Sequence, residues 1–500
     1  MKIVKSLLLG STAGLVAVAG AQAADLPVKA KPVEYVKVCS MYGAGFWYVP
    51  GTDTCLKIGS YARGEIGWNQ AAGSPIGIET AGGQFTRTDT SQLMNRVRAD
   101  ISIDLRTQTE YGTLRSYIEA GFETAPVAGG APANDVVWFD RGFIQFAGLT
   151  AGRMRSYFDI ISPFTYGFHV QPTTGDSDNF RGLWGIAYTA QFGNGFSATL
   201  SFEDGASSDQ GNNAGQARSR TRRDVNLSMA SQWGLGTASF DNEGWKFPDV
   251  VGDVRVDQAW GFAQLSVALH DASAGYYQTG GTALAAGIQN NGHPSDAYGW
   301  AVQGGFNLND VLGMKGDRFS VQAAYSVGAS GYAASSIGAP MVYAAGNNAG
   351  FGWLTDGVFV TGSGVELTTV WSINAGYQHY WNPKWRTSLY GGYVAVNYDG
   401  TAQAMICTSG AGGTPAAALV LTGISNCSPN WSVWQIGSRT MWNPHPDLDI
   451  GIDFAWTHLN TAFAGTATLA ANGARPGGVY SISNQDVPSM LFRIQRNFLP

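Results

Sequence analysis

NRVRADISIDLRTQTEYGTLRSYIEAGF, residues 95 to 122, alternates charged or polar residues with apolar ones on both sides of a short turn. In the first arm the charged residues share one parity: Arg96, Arg98, Asp100, Asp104 and Arg106. The apolar residues fill the other parity: Val97, Ala99, Ile101, Ile103 and Leu105. The second arm, which includes Arg115 and Glu119, repeats the arrangement. Each arm therefore has one charged face and one apolar face.

Alternation with a period of two indicates β-strands, because successive side chains of a strand point to opposite faces. A helix, at about 100° per residue, would scatter the apolar residues around its surface. The segment TQTEYG is typical of a tight turn, so the stretch predicts an antiparallel hairpin. The hairpin by itself fits two kinds of protein: a soluble sheet or sandwich with one solvated face, or a membrane barrel with a polar interior.

The first residues, MKIVKSLLLGSTAGLVAVAGAQA (1–23), have the pattern of a secretory signal peptide. Two lysines precede an apolar run from Leu7 to Ala19, and a small-x-small cleavage site, Ala21-Gln22-Ala23, follows it. The run is short and interrupted by glycine and serine, which argues against a retained membrane anchor. We therefore expect residues 1–23 to be removed and the mature protein to be exported.

The composition favours the membrane barrel. Charged residues make up 13% of the chain, about half the usual share, whereas aromatic residues reach 12% and glycine accounts for 67 of the 500 residues. No later stretch of about 18 consecutive apolar residues occurs, so the sequence offers no spanning helix. In lipid, a closed barrel is the alternative to helices that satisfies every backbone hydrogen bond.

The four cysteines of an exported chain predict disulfides. Three connectivities are possible for four cysteines. We favour the local pairs, Cys39 with Cys55 and Cys407 with Cys427, because each pair brackets a loop-like segment. Metal binding is the weaker alternative, since the chain has no C-x₂-C motif and its six histidines show no ligand spacing. We expect no metal and no cofactor.

The hairpin pattern recurs along the chain, and its connections alternate in length. Short turns alternate with long loops rich in Gly, Ala, Ser and Asn, which lie at 69–94, 204–249, 271–296, 327–366, 399–430 and 460–487. Short turns at one end and long loops at the other are typical of an outer-membrane barrel. The connections delimit sixteen predicted strands near 56–68, 95–106, 113–123, 136–146, 149–158, 183–192, 196–203, 250–260, 262–270, 297–307, 317–326, 367–381, 385–398, 431–442, 447–457 and 488–498.

These features predict an all-β fold, a transmembrane antiparallel β-barrel over residues 56–500. An N-terminal segment, residues 24–55, would precede the barrel and be closed by a disulfide. The apolar parity would face lipid and the charged parity a water-filled interior, because sixteen strands leave an aqueous channel whereas eight are filled by side chains. Tryptophans near strand ends would form interfacial girdles: Trp68, Trp260, Trp381, Trp385 and Trp442.

Seven segments spread over nearly the whole chain resemble the alphaproteobacterial porins of rhizobia and Brucella. They are ADLPVKAKPVEYVKVC (24–39), YVPGTDTCLKIGSYARGE (48–65), DLRTQTEYGTLRSYIE (104–119), FIQFAGLTAGR (143–153), FPDVVGDVRVDQAWG (247–261), YWNPKWRTSLYGGY (380–393) and RIQRNF (493–498). The resemblance implies a sixteen-stranded homotrimeric channel of the bacterial outer membrane. It would contact outer-membrane lipid and lipopolysaccharide and admit ions and small hydrophilic solutes by passive diffusion.

The resemblance also implies a constriction, formed where the third long loop folds into the barrel. The segment at that position is DIISPFTYGFHVQPTTGDSDNFRG (159–182), and its acids are Asp159, Asp176 and Asp178. A basic wall would face this loop and set a transverse field across the pore. The candidates that strand parity places inside are Arg63, Arg96, Arg98, Arg115, Arg153, Arg155, Arg439 and Arg493.

Three other functions remain open on the sequence. A barrel enzyme would need a nucleophile, a base and an acid at the rim, and the histidines have no such neighbours in sequence; we expect no catalytic activity. A secreted all-β binding protein would have no channel. A solute-specific channel for a sugar or an amino acid would share the barrel, and nothing in the sequence selects such a solute. No nucleic-acid-binding patch or phosphate loop is recognisable.

Overall fold

The computed structural model describes residues 37–69, 93–125, 134–168, 182–204, 223–224, 246–277, 289–334, 341–342, 347–408, 423–469 and 477–498. The predicted signal peptide, residues 1–23, lies outside these residues. Of the predicted N-terminal segment, residues 37–55 are described. The two-residue strand Trp47–Tyr48 in this segment pairs with Leu56 and Cys55.

Within the described residues, sixteen long antiparallel strands form one closed barrel. Closure comes from the pairing of the first strand with the last, in which Ser60 lies opposite Phe498 and Trp68 opposite Met490. The strands are β1 (Thr54–Trp68), β2 (Leu93–Thr109), β3 (Gly112–Ala125), β4 (Asn134–Phe146), β5 (Leu149–Met154), β6 (Leu183–Gly193), β7 (Phe196–Glu203), β8 (Asp249–Gln258), β9 (Gly261–Asp271), β10 (Tyr298–Asn309), β11 (Arg318–Val327), β12 (Thr369–Asn382), β13 (Trp385–Asn397), β14 (Trp431–His445), β15 (Leu448–Asn460) and β16 (Gln485–Phe498).

The predicted barrel is confirmed, and each of the sixteen predicted strands overlaps an observed one. The largest difference is β5, which was expected to reach residue 158 and ends at Met154. The chain leaves the wall there because Ser156 Oγ and Tyr157 N donate hydrogen bonds to the buried Glu203 carboxylate. These two bonds replace the backbone pairing that a longer strand would have made.

Seven short turns join the strands at one end of the barrel, as the alternating loop lengths predict. The turn between β6 and β7 shows why such turns need particular residues. Asn194 and Gly195 both have positive φ, 50° and 76°, which is the arrangement of a type I′ hairpin turn. A Cβ atom at Gly195 would lie 2.0 Å from the carbonyl oxygen of Asp257, so only glycine fits there.

The two faces of the barrel wall differ in polarity as predicted. Apolar side chains exposed on the outer face recur at every second position, as at Val97, Ile101, Leu265, Val267 and Ile494. The other parity carries polar side chains that are buried inside the barrel, such as Gln303, Ser372, Gln435 and Asp453. At the short-turn end Trp385 and Trp442 stack with ring centroids 5.9 Å apart, and Trp381 is 66% exposed.

Both predicted disulfides are present, Cys39–Cys55 and Cys407–Cys427. The first joins residues 37–48 to the start of β1, and its sulfurs are buried with Phe46. The second closes the loop after β13, where the chain forms a helix, Gly400–Thr408. The chain-entropy estimate assigns roughly 3 kcal/mol to a disulfide that closes a loop of this length.

The remaining short elements lie outside the sixteen-strand wall. They are the helices Ser330–Ala333 and Gly400–Thr408, the 3₁₀ turns Ser40–Tyr42, Gln289–Asn291 and Val311–Gly313, and the strands Arg223–Asp224, Met341–Val342, Asn348–Phe351, Gly357–Phe359, Glu366–Leu367, Gly423–Asn426, Ala464–Leu469 and Gly478–Ile482. None of the helices in the described ranges combines the length and the apolar character that a membrane span requires.

Asp317, in the turn before β11, ties that turn to β12. Its buried carboxylate accepts hydrogen bonds from Tyr377 Oη at 2.5 Å and Tyr380 N at 2.9 Å, and lies 2.8 Å from His379 Nδ1. Burial alone would raise the pKa of this carboxyl, but the contacts with His379, Tyr377 and Tyr380 outweigh it and hold the pKa below its ordinary value.

We therefore expect Asp317→Asn to destabilise the barrel by about 1 to 3 kcal/mol at neutral pH. Because the folded-state pKa of Asp317 is lowered, its contribution is complete above the pKa of the unfolded chain, near pH 4, and is lost as the pH falls further. The temperature at which the folded band disappears in heat-modifiable electrophoresis measures both effects. Equal transition temperatures for the variant and the wild type at pH 7 would contradict this role.

Candidate functional site

The inner wall carries a cluster of arginines held by two glutamates. Glu65, on β1, is buried and contacts Arg96 Nη2 on β2 and Arg493 Nη2 on β16, each at 2.5 Å. Glu123 pairs with Arg98, while Arg63 Nε donates to Gln495 Oε1 at 2.7 Å. Two carboxylates therefore share the cluster with four guanidinium groups, which leaves a net formal charge of +2 (4 − 2).

Four predicted wall arginines, Arg63, Arg96, Arg98 and Arg493, thus lie together across the closure between β16, β1 and β2. Arg115 lies lower on the wall, where its guanidinium pairs with Asp104 at 3.0 Å. Asp104 also accepts from Arg106, so this acid holds two arginines near the short-turn end.

The register corrects the position of Arg153. This residue lies opposite Gly142 and Trp184 on the neighbouring strands, and Trp184 is 49% exposed on the outer face. Directly opposed residues share a face, so Arg153 belongs to the outward row and the buried Thr150 to the inward one. The sequence Leu-Thr-Ala-Gly-Arg has too little alternation to fix this parity. Arg155 follows the end of β5.

Residues 155–168, the inner segment, run across the inside of the barrel from β7 to β15. Gln264 on β9 donates to Tyr157 O at 3.0 Å. Gln322 on β11 both donates to and accepts from the backbone of Ile161, each at 2.9 Å. All of these partners lie on the inward parity, so the described part of the predicted constriction loop is inside the barrel.

The far end of the inner segment rests on β14, β15 and β16. Phe168 N donates to Asp453 Oδ2 at 2.5 Å, and Arg439 Nη2 donates to Thr165 O at 2.9 Å. The guanidinium of Arg493 lies 4.0 Å from the centre of the Phe168 ring, a cation–π distance. In the described part of the segment, the basic wall therefore touches backbone carbonyls and an aromatic ring.

Asp159 of the predicted loop acids is buried beside the backbone of Ser156. Asp176 and Asp178 lie outside the described residues. Arg439 and Arg493 therefore both contact the inner segment. Arg493 also pairs with Glu65 and so belongs to the arginine cluster.

A second segment, residues 347–359, also packs against the inner wall. The sequence did not predict this packing. Its side chains Phe351, Trp353 and Val358 are fully buried. They join an apolar cluster with inward residues of β13 and β14, including Val394 and Val433. The available signal was the sequence Val394-Ala-Val-Asn at the end of β13, which is apolar on both parities where a water-filled interior predicts alternation.

Known proteins that are similar to this chain are porins and an outer membrane channel. The family described as "Porin subfamily" matches residues 25–490. Porin Omp2b of Brucella abortus (strain 2308) is 31% identical over 266 residues, which are 52% of this chain and 63% of that protein. Porin Omp2b of Brucella suis biovar 1 matches to the same extent. The chain thus spans less than two thirds of the length of these relatives.

The crystal structure of the outer membrane channel DcaP of Acinetobacter baumannii covers 90% of this chain with a TM-score of 0.54 and 13% identity, a likeness of fold.

The contacts of Asp453 predict that Asp453→Asn loosens the inner segment from the wall. An amide is a weaker acceptor than a carboxylate for Phe168 N, and we expect the loss of about 1 to 3 kcal/mol of local stability. Proteolytic cleavage within residues 155–168 in detergent should become faster in the variant. Tyr390→Phe is the matched control, because it removes a hydrogen bond to the other oxygen of Asp453 while it keeps the carboxylate that accepts from Phe168 N. Equal cleavage rates in the wild type and both variants would refute the anchoring role.

Proposed function

The chain belongs to the porin subfamily, and we propose that it forms a water-filled channel of the bacterial outer membrane through which ions and small hydrophilic solutes diffuse passively. One observation carries the proposal. A closed barrel of sixteen strands has apolar side chains exposed on its outer face and polar side chains inside. A barrel of this strand number is wide enough to hold an aqueous channel, and its outer face suits a hydrocarbon environment.

The inner segment supports a constriction inside this channel. It narrows the interior by crossing from β7 to β15, and residues 347–359 narrow it further on the β13–β14 side. The cluster of Arg63, Arg96, Arg98 and Arg493 gives the adjacent wall a net positive charge. We propose that these arginines and the predicted loop acids Asp159, Asp176 and Asp178 set a transverse field across the pore, which would orient polar solutes and disfavour apolar ones.

A homotrimer in contact with lipid and lipopolysaccharide is the assembly that we propose. The trimer is what the resemblance to the alphaproteobacterial porins implies, and the exposed apolar side chains of the outer face supply surface for both lipid and neighbouring subunits. Membership in a porin family favours a channel over an enzyme. A channel specific for one sugar or amino acid is the second candidate.

Single-channel recording of the purified protein in planar bilayers tests the function. We expect stepwise ohmic openings, often in groups of three, and no saturable block by individual sugars or amino acids. Block by one such solute at low concentration would favour the specific channel. Folded protein that inserts into the bilayer without conducting would refute a water-filled interior.

Glu65→Gln tests the charge of the arginine cluster. Removing this carboxylate makes the wall more positive, and we expect the chloride-to-potassium permeability ratio to rise about two- to fourfold, by Coulomb's law at pore distances with partial salt screening. Reversal potentials in a KCl gradient measure the ratio. The loss also leaves Arg96 and Arg493 without their shared carboxylate, so a lower thermal stability is expected and folding is checked by heat-modifiable migration.

Glu110→Gln is the matched control for this measurement. It removes the same charge from an exposed turn residue between β2 and β3, away from the cluster. A shift of the reversal potential that is equal in the two variants would contradict a local role of Glu65.

A further inference from the structure

Three carboxylates from three adjacent strands converge on the inner wall beside the arginine cluster. They are Asp100 on β2, Glu119 on β3 and Asp140 on β4. One oxygen from each lies within 4.8 Å of the others. Like charges at this separation repel, so the arrangement requires a compensating cation or proton.

An irregularity in the sheet brings the third carboxylate into the group. The pairing of β3 with β4 shifts between Glu119 and Ala120, so that Arg141 lies opposite Glu119 and Phe139 opposite Ala120. Asp140 is the extra residue, and this bulge turns its carboxylate to the same side as that of Glu119. Bulges that re-aim a side chain in this way are frequent next to functional sites.

Asp100 is the member of the group that has no hydrogen-bond donor among the described residues. The residue is 5% exposed, and its electrostatic neighbours among the described residues are Arg98 and Arg63, which attract it, and Glu119 and Asp140, which repel it. The other two acids do have donors, since Tyr117 Oη donates to Glu119 at 3.1 Å and Trp138 Nε1 to Asp140 at 2.9 Å. A buried carboxylate without a donor is costly.

Two of the nearby arginines are hydrogen-bonded to groups outside this set of acids. Arg98 is engaged with Glu123, and Arg63 donates to Gln495. Arg141 Nη1 approaches Glu119 Oε2 at 3.8 Å and supplies one positive charge. The three carboxylates repel one another, and Arg98 and Arg63 offset part of this repulsion at Asp100.

We propose that Asp100, Glu119 and Asp140 bind a divalent cation of the calcium type. An all-oxygen, all-carboxylate donor set suits a hard cation and not zinc, whose sites use nitrogen and sulfur ligands. Calcium–oxygen distances of about 2.3 to 2.6 Å allow two ligand atoms on one ion to lie up to about 5 Å apart. Calcium also tolerates variable coordination geometry, whereas magnesium demands a near-ideal octahedron and keeps most of its waters.

Such an ion would link β2, β3 and β4 and change the charge of the inner wall. Bound calcium would add two positive charges to this part of the inner wall, next to the arginine cluster. It would also stabilise the folded barrel in proportion to the logarithm of its concentration, because the site exists only when the three strands are paired.

Terbium luminescence tests the site directly, without requiring the channel to conduct. Mature protein refolded in detergent free of lipopolysaccharide, itself a cation binder, is titrated with Tb³⁺ under excitation of tryptophan. The indole of Trp138 is hydrogen-bonded to Asp140 and would sensitise an ion bound there. We expect a saturable signal that added Ca²⁺ displaces.

Asp100→Asn removes one ligand charge and should weaken Tb³⁺ and Ca²⁺ binding by at least about tenfold. Asp253→Asn is the matched control, since Asp253 is also a buried inward-facing acid but lies apart on β8, and its affinity should match the wild type. Glu119→Gln replaces the first variant if Asp100→Asn fails to show heat-modifiable migration. Absence of a saturable signal in folded wild type, or equal affinities in wild type and the ligand variants, would overturn the proposal and favour a proton shared by the carboxylates.

Discussion

The antiparallel pairing of β1 with β16 is the constraint on which the rest of the structure depends. In a hydrocarbon environment every unpaired backbone group is costly, so a sheet must close on itself. Closure joins Ser60–Trp68 to Met490–Phe498 in one register, and that register decides which inward side chains of the first and last strands lie opposite one another. It also brings Glu65 and Arg493, separated by most of the chain, to 2.5 Å.

The polar interior then creates a second constraint, because charges enclosed by the wall must find partners. The arginine cluster meets it with two glutamates and a glutamine. In the inner segment, backbone groups form hydrogen bonds with polar side chains of the wall, as Ile161 does with Gln322. At Asp100 the nearest described charges include two further carboxylates, Glu119 and Asp140, and the repulsion among the three is the physical basis of the proposed cation site.

Much of the fold could be predicted because its signals are local. Alternation in residues 95–122 specifies the two faces of β2 and β3, and turn residues such as Asn194-Gly195 specify the hairpins. Alternation cannot predict which face of a strand is inward where the residues of both parities are similar in polarity. Leu-Thr-Ala-Gly-Arg in β5 does not reveal which face Arg153 takes, and the apolar end of β13 reflects contact with Trp353, a residue in a distant loop.

The sequence by itself determined the number of strands, the faces of most of them and the end with short turns, and it favoured the local pairing of cysteines, since each follows from residues close together in the chain. Only the tertiary structure decided which charges meet. The contacts of Arg439 with Thr165, of Glu65 with Arg493 and of Asp100 with Glu119 and Asp140 depend on the closing register and on one bulge. A shift of a single residue in either would separate these groups, and no local pattern encodes that shift.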